Sequence, residues 1–151
     1  MSCLIRNATN ADALAISRII IGTLRESNTL DYSSAIIDQV ESSFSPSAIL
    51  DFLTRRQVLV ATTDSHIVAT ASLDQDVVRS VFVDPTWQGK GIGRQLMAMI
   101  QSIAIKDGVS LLRVPSSITA QGFYAALGFK KIRDEFHQSE RTIIMAKTLE
   151  H

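Results

Sequence analysis

The sequence predicts a mixed α/β fold, a mixed sheet covered by helices. Three observations carry this. Apolar, β-branched runs interleave with amphipathic helical patterns along the whole chain. Neighbouring strand runs are joined by short polar turns such as Asp64-Ser65. One strand runs straight into a glycine-rich loop that opens a helix.

Taken in order, Leu4-Ile5-Arg6 reads as a short first strand. Asn10 caps a helix over Ala11 to Arg25, with Leu14, Ile16, Ile19, Ile20 and Leu24 apolar at helical spacing. Ser27 to Ser34 is polar and loop-like. Ala35 to Ser42 suits a helix with Ile36, Ile37 and Val40 inward. Ser45-Pro46 opens another, which carries Ile49, Leu50 and Leu53 and ends near Arg55. Val58 to Thr62 and Ile67 to Leu73 form a hairpin. Asp74-Gln75-Asp76 turns the chain into a strand from Val77 to Val83. Strict alternation there puts Val77, Arg79, Val81 and Val83 on one parity and Val78, Ser80 and Phe82 on the other. Pro85 ends that strand. Ile92 to Lys106 is a helix with Ile92, Leu96, Met99, Ile100 and Ile103 on one face and Gly108 as its stop. Leu111 to Val114 is a strand, Thr119 to Leu127 a helix stopped by Gly128, and Phe129 to Ile132 and Thr142 to Ala146 are strands.

At 151 residues, with 46% hydrophobic and 20% charged, the chain suits one globular domain over residues 1–148. Leu149-Glu150-His151 reads as the start of an appended histidine tag. Zero formal net charge argues against a nucleic-acid partner, which needs Lys and Arg to neutralise phosphates. Cys3 is alone, so no internal disulfide forms. With only His66, His137 and His151 scattered elsewhere, no zinc-ligand spacing exists and no metal is expected. No stretch is long and apolar enough to span a bilayer, and the N-terminus lacks a secretory pattern; no membrane partner and a cytoplasmic location are the expectation.

The most informative segment runs from Val81-Phe82-Val83-Asp84-Pro85 through Gln88-Gly89-Lys90-Gly91-Ile92-Gly93-Arg94. Glycines let the backbone take positive φ and let a ligand approach the main chain. Successive N–H groups at the start of a helix then make a concave anion site, to which Lys90 and Arg94 add full charge. A pyrophosphate suits it. The spacing is not that of a nucleotide-binding GxxxxGK[ST] loop, because Gly91 follows Lys90. Nor is it GxGxxG, because Gly89, Gly91 and Gly93 alternate and the acid expected about 20 residues on is missing.

This segment resembles the signature of the GNAT superfamily of acetyltransferases: Gln or Arg, two residues, Gly, one residue, Gly or Ala. A second segment, Ser116-Ser117-Ile118-Thr119-Ala120-Gln121-Gly122-Phe123-Tyr124-Ala125-Ala126-Leu127-Gly128-Phe129, contains the FYxxLGF pattern that the family carries, and its lead-in is similar to a branch of small bacterial members. The resemblance extends from Leu4 to about Lys147. It implies a central mixed, mostly antiparallel sheet of six to seven strands, flanked by about four helices and splayed between strands 4 and 5. It implies acetyl-CoA as co-substrate. Amides of Gln88, Gly89, Lys90, Gly91, Ile92, Gly93 and Arg94 would hold the pyrophosphate, and the Val81-Phe82-Val83 backbone would pair with the pantetheine arm, chiefly through Val81 and Val83. Tyr124 matches the tyrosine that protonates the departing thiolate, a role a phenol can fill in aminolysis of a thioester.

The chain departs from the family pattern in two places. Where many members carry a glutamate base, this chain has Val77, and the adjacent Asp76 is the candidate base; a solvated turn carboxylate is the other reading of Asp76. Where many carry Asn, this chain has Ser117, which serves either the pantetheine or the start of the next helix. Arg79 shares parity with Val81, so it either faces the acceptor cleft, where it would favour a carboxylate, or pairs with Asp74 or Asp76.

Charge is unevenly spread. Glu26 to Thr54 holds five acids and no base, and Thr86 to Arg133 holds seven bases and one acid. The basic part would attract coenzyme A, and the acidic part would steer a cationic amine or is merely a solvated face. The reading is an acetyl-CoA-dependent N-acetyltransferase acting on a primary amine of a small molecule or peptide, by direct transfer in a ternary complex. A homodimer is compatible with it. A non-catalytic acyl-CoA-binding module is the alternative, kept open by Val77.

Overall fold

The computed structural model describes residues 3–27, 34–137 and 140–150. The polar segment expected between Ser27 and Ser34, and the inward side chains expected at 36, 37 and 40, lie outside what it describes. Seven strands form one sheet: β1 (Leu4–Asn7), β2 (Gln57–Thr63), β3 (His66–Asp74), β4 (Val77–Val83), β5 (Leu111–Ser116), β6 (Lys130–His137) and β7 (Glu140–Thr148). Their order is β1-β2-β3-β4-β5-β7-β6. Every neighbouring pair is antiparallel except β4 and β5, which are parallel. Among the described residues five helices flank the sheet: α1 (Ala13–Ser27), α2 (Ser34–Ser42), α3 (Pro46–Arg55), α4 (Ile92–Lys106) and α5 (Gln121–Ala126).

Helix entry differs from expectation at α1. Thr9, not Asn10, begins it: a 3-10 turn over Asn10–Asp12 precedes α1, and the Asp12 carboxylate accepts from the Thr9 N–H at 2.8 Å. That carboxylate also takes two bonds from Arg6 on β1, at 2.8 and 3.0 Å. Arg6 and the Thr9 N–H together hold its pKa down to about 2. Leu14 is half exposed; the inward stripe is Ala13, Ile16, Ile20 and Leu24. On α4, Met99 faces out and Met97 in, because the buried stripe follows Ile92, Leu96, Ile100 and Ala104 at steps of four. Helix α5 starts two residues later than expected. Ser45 caps α3 as expected, accepting from the Ala48 N–H at 3.2 Å.

Two apolar layers result. Helix α4 packs Leu96, Met97 and Ile100 over Leu59, Ala61, Leu73 and Val78 of the sheet. Helices α1 and α3 pack Ile16, Ile20 and Ile49 over Val58 and Val60 on the other face. Leu149, read above as part of an appended tail, is buried in the larger layer and its N–H donates to Ser110 O at 2.9 Å.

Strand β4 does not keep the simple alternation expected of it. Thr70 pairs with Phe82 and Ser72 with Arg79, so Ser80 and Val81 together oppose Ala71. Ser80 has φ +56°, the left-handed region, as a bulge residue often does. One extra residue shifts the parity: Val78, Val81 and Val83 face the α4 layer, while Phe82 joins the α1 and α3 layer. Beyond the bulge, β4 leaves β5. Val77 and Arg113 form the one registered pair between them. The two strands therefore diverge like a V with its apex at Val77.

Candidate active site

The open end of the V points at the glycine loop. Asp84 accepts from the Thr86 N–H at 2.9 Å and starts a short turn over Pro85–Trp87. Gly89 and Gly91 then take φ of +78° and +83°, and Gly91 is the residue before α4. Only glycine enters this conformation without steric cost. The first helical bond of α4 runs from the Gln95 N–H to Gly91 O at 3.1 Å. Among the described residues, the six N–H groups from Gly89 to Arg94 donate to no protein acceptor. Six successive unpaired donors at the positive end of a 15-residue helix form an anion cradle.

A cavity of about 480 Å³ lies beside this cradle. Val81, Val83, Gln88, Gly89, Gly91, Ile92, Gly93 and Arg94 line one side, and Ala120, Phe123, Tyr124 and Ala126 the other, with Trp87 between. Its size is that of a small-molecule site. Trp87 and Phe123 were not singled out as walls from the sequence. The lone tryptophan inside the glycine segment was the available signal for the first. Lys90 is exposed and turns to the other side of Trp87, toward Cys3 and Gln95.

The cavity continues into a cleft of about 140 Å³ between β4 and β5. Val81, Ala120 and Tyr124 line both spaces; Ser80, Phe82, Val114 and Ser117 line the cleft alone. The backbone of β4 is aimed into it. The Asp84 N–H donates to Val68 O, so Val83, one residue earlier, turns its N–H and C=O away from β3. The Gln88 side chain donates to Val83 O at 3.0 Å and Thr23 Oγ1 donates to it at 3.4 Å. That carbonyl is taken, and the Val83 N–H remains for a ligand. Gln88 thus braces the loop with its side chain, and its backbone N–H, expected to hold the pyrophosphate, instead closes the Pro85–Trp87 turn by donating to Pro85 O at 3.4 Å.

Tyr124 is 5% exposed and packs edge-on against Phe123 and Phe129, at centroid distances of 5.1 and 5.7 Å. Burial pushes its phenol well above the ordinary tyrosine range. It therefore stays protonated at any working pH, and its hydroxyl has no hydrogen-bond partner among the described residues. Ser117 Oγ accepts from the Ala120 N–H at 3.2 Å, so it shapes the turn into α5. Asp76 sits at the apex of the V: its Oδ2 pairs with Arg113 at 2.7 Å, and its backbone O takes the Arg113 N–H. Arg79 has no ion pair among the described residues; Asp76, one of its expected partners, is held by Arg113 instead.

Comparison with known proteins agrees with this architecture. Residues 29–149 match the acetyltransferase (GNAT) domain family. An uncharacterized N-acetyltransferase of Chlorobaculum tepidum is 30% identical over 133 residues, 87% of this chain and 78% of that protein. The chain belongs to the GNAT acetyltransferase family. Solved GNAT structures share its fold. A GCN5-related N-acetyltransferase from Rhodopseudomonas palustris superposes with a TM-score of 0.92 at 21% identity, over 99% of this chain and 97% of the other. The PaiA N-acetyltransferase of Thermoplasma acidophilum, in complex with coenzyme A, gives 0.84 at 21% identity over 98% and 99%. YncA of Salmonella typhimurium, solved with its cofactor acetyl-CoA, gives 0.72 at 20% identity over 100% and 96%. The V between β4 and β5 is therefore the GNAT splay. No helix among the described residues is long and apolar enough to cross a membrane.

Proposed function

We propose that this GNAT protein transfers the acetyl group of acetyl-CoA to a primary amine within a ternary complex. The observation that carries the reading is the run of six unpaired N–H groups from Gly89 to Arg94, opening onto a cavity that leads into the splay. Two of the neighbours named above carry coenzyme A or acetyl-CoA, which is consistent with it. The pyrophosphate lies on the amides of the loop, with Arg94 beside it. The pantetheine arm follows the free edge of β4 at Val81, Phe82 and Val83, taking the Val83 N–H. Ser117 contributes the turn that closes this channel.

Attack of the amine on the thioester carbonyl forms an oxyanion, which a backbone N–H of the splayed β4 stabilises. Collapse expels the thiolate, and Tyr124 donates its proton to it. Burial keeps the phenol in the protonated form that a proton donor needs. Asp76 takes the amine proton through water. Arg113 holds only its Oδ2, and Oδ1 has no bond among the described residues. The acidic stretch expected to draw a cation is partly neutralised: Glu41 is bound by Arg25 at 2.6 and 2.9 Å, and Asp51 by Arg55. A cationic acceptor is therefore not favoured by that wall.

A thermal melt tests the cofactor. Acetyl-CoA at about 100 times its Kd stabilises the native state by about 2.7 kcal/mol, and Gly91→Asp abolishes the shift. No shift at millimolar acetyl-CoA sinks the reading. Release of free thiol only when an amine is present separates an enzyme from a binding module.

A further inference from the structure

The splay has two sides. One is the cavity at the glycine loop. The other is walled by Ser80 and Phe82, which belong to the α1 and α3 face. With acetyl-CoA entering from the loop, as proposed above and on which this inference rests, the amine approaches from the Ser80 side.

There the structure places two cations, Arg56 and Arg79, neither of which is ion-paired among the described residues. Arg56, just past α3, donates from Nη1 to Ser80 Oγ at 3.4 Å. Its guanidinium lies 3.9 Å from the centre of the Phe52 ring. Its Nε is buried without a hydrogen-bond partner, and among the described residues no other buried side-chain nitrogen or oxygen is in that condition. Arg79, next to Ser80 on β4, adds a like charge; burial first and Arg79 second draw the Arg56 pKa down. Asp74 and Asp51 act on Arg56 from a distance, and neither makes an ion pair with it. Asp51 is held by Arg55, and Asp76 by Arg113.

Two adjacent cations and an unsatisfied buried donor cost stability. The left-handed Ser80 adds backbone strain at the same point. Costs concentrated beside a reaction cleft are recovered when a ligand completes the arrangement. A planar carboxylate matches a guanidinium in charge and geometry.

We propose that Arg56 and Arg79, on either side of the Ser80 bulge, bind a carboxylate of the acceptor, so that the amine acetylated belongs to an amino acid or a similar amino-carboxylate. The carboxylate fixes the acceptor by its charged end and leaves the amine to reach into the splay. Sequence parity alone suggested Arg79; the partner Arg56 follows α3, 23 positions earlier, and its bond to Ser80 sets it beside Arg79.

The test is acetylation of the common amino acids against their carboxamides, with spermidine as a cationic control. The acid is preferred over its amide by about tenfold or more in kcat/KM, the size of one charge-assisted contact. Arg79→Gln, at an exposed position, raises KM for the acid and brings the acid-to-amide ratio toward one; Arg56→Gln does the same. Equal use of acids and amides, or preference for spermidine, overturns the proposal and leaves the acetyltransferase reading standing. A second measurement is independent of turnover: calorimetric titration of the protein, with and without coenzyme A, by N-acetylated amino acids and their amides. Binding of the acids that Arg79→Gln weakens supports the site even if no amine is turned over. No binding by any acid overturns it, whatever the melt with acetyl-CoA shows.

Discussion

Phe123 presses its ring edge against Gly93: a Cβ built on the glycine would stand 3.2 Å from the ring's Cζ and 3.3 Å from its Cε1. This contact sets how closely α5 approaches the start of α4, and so the width of the cavity between them. Gly93→Ala adds a methyl to a helical position, which favours the helix by up to about 1 kcal/mol. The methyl also displaces the ring into the cavity. We expect the melting temperature without ligand to stay close to that of the parent protein, while the Kd for acetyl-CoA rises about tenfold, measured by calorimetry. An unchanged Kd would show that the ring does not set the cavity.

Tyr124 lines the splay and carries a hydroxyl with no hydrogen-bond partner among the described residues. Tyr124→Phe therefore costs little stability. If the phenol is the acid, kcat falls about a hundredfold while KM for acetyl-CoA holds. Because the native phenol stays protonated above its ordinary range, the parent enzyme keeps its rate on the alkaline side to at least about pH 10. Steady-state rates across pH for both proteins check this. A variant with parental kcat would remove Tyr124 from the chemistry.

Asp76 and Arg113 close the apex of the V with an exposed ion pair, worth up to about 1 kcal/mol. Asp76→Asn leaves the fold intact. Should the carboxylate act as base, the loss in kcat/KM is greatest at neutral pH and shrinks as the amine loses its proton in solution. A loss that is the same at every pH would point to positioning of β5 instead.

Asp12 ties β1 to the start of α1 through Arg6 and the Thr9 N–H. Its folded pKa, about 2, lies below the unfolded value of 3.8, so its stabilisation is complete above about pH 4 and is lost as pH falls toward 2. Arg6 is half exposed, and solvent screening limits the contribution to about 1–2 kcal/mol. Asp12→Asn should therefore lower unfolding free energy by that amount at pH 7. Near pH 2 parent and variant converge, as urea titrations at the two pH values would show.

Local chemistry was legible in the chain. The cradle could be read because it is built within seven consecutive residues, where glycine spacing dictates the backbone and the backbone is the ligand site. The flanking pattern pointed to Tyr124, which lines both the cavity and the cleft. The bulge at Ser80 was not, since a serine in the left-handed region carries no sequence mark and the strand reads as perfectly alternating. That one residue moved Val78 onto the same face as Val81 and removed the basis for reading Arg79 by parity. Leu14 and Met99 were misplaced because apolar spacing predicts a stripe, while the sheet beneath decides which edge of the stripe is covered.

By itself the sequence determined the mixed α/β class, the strand-loop-helix cradle and membership in an acetyltransferase family, because each rests on short-range pattern. Only the tertiary structure decided the rest. It gave Asp76 to Arg113, Val83 O to Gln88 and Thr23, and Glu41 to Arg25. It also set Arg56 beside Arg79 with neither in an ion pair among the described residues. Those pairings join residues up to 60 positions apart, as Thr23 and Val83 are. They depend on sheet order and strand register, which the packing of the whole chain selects and no single segment encodes.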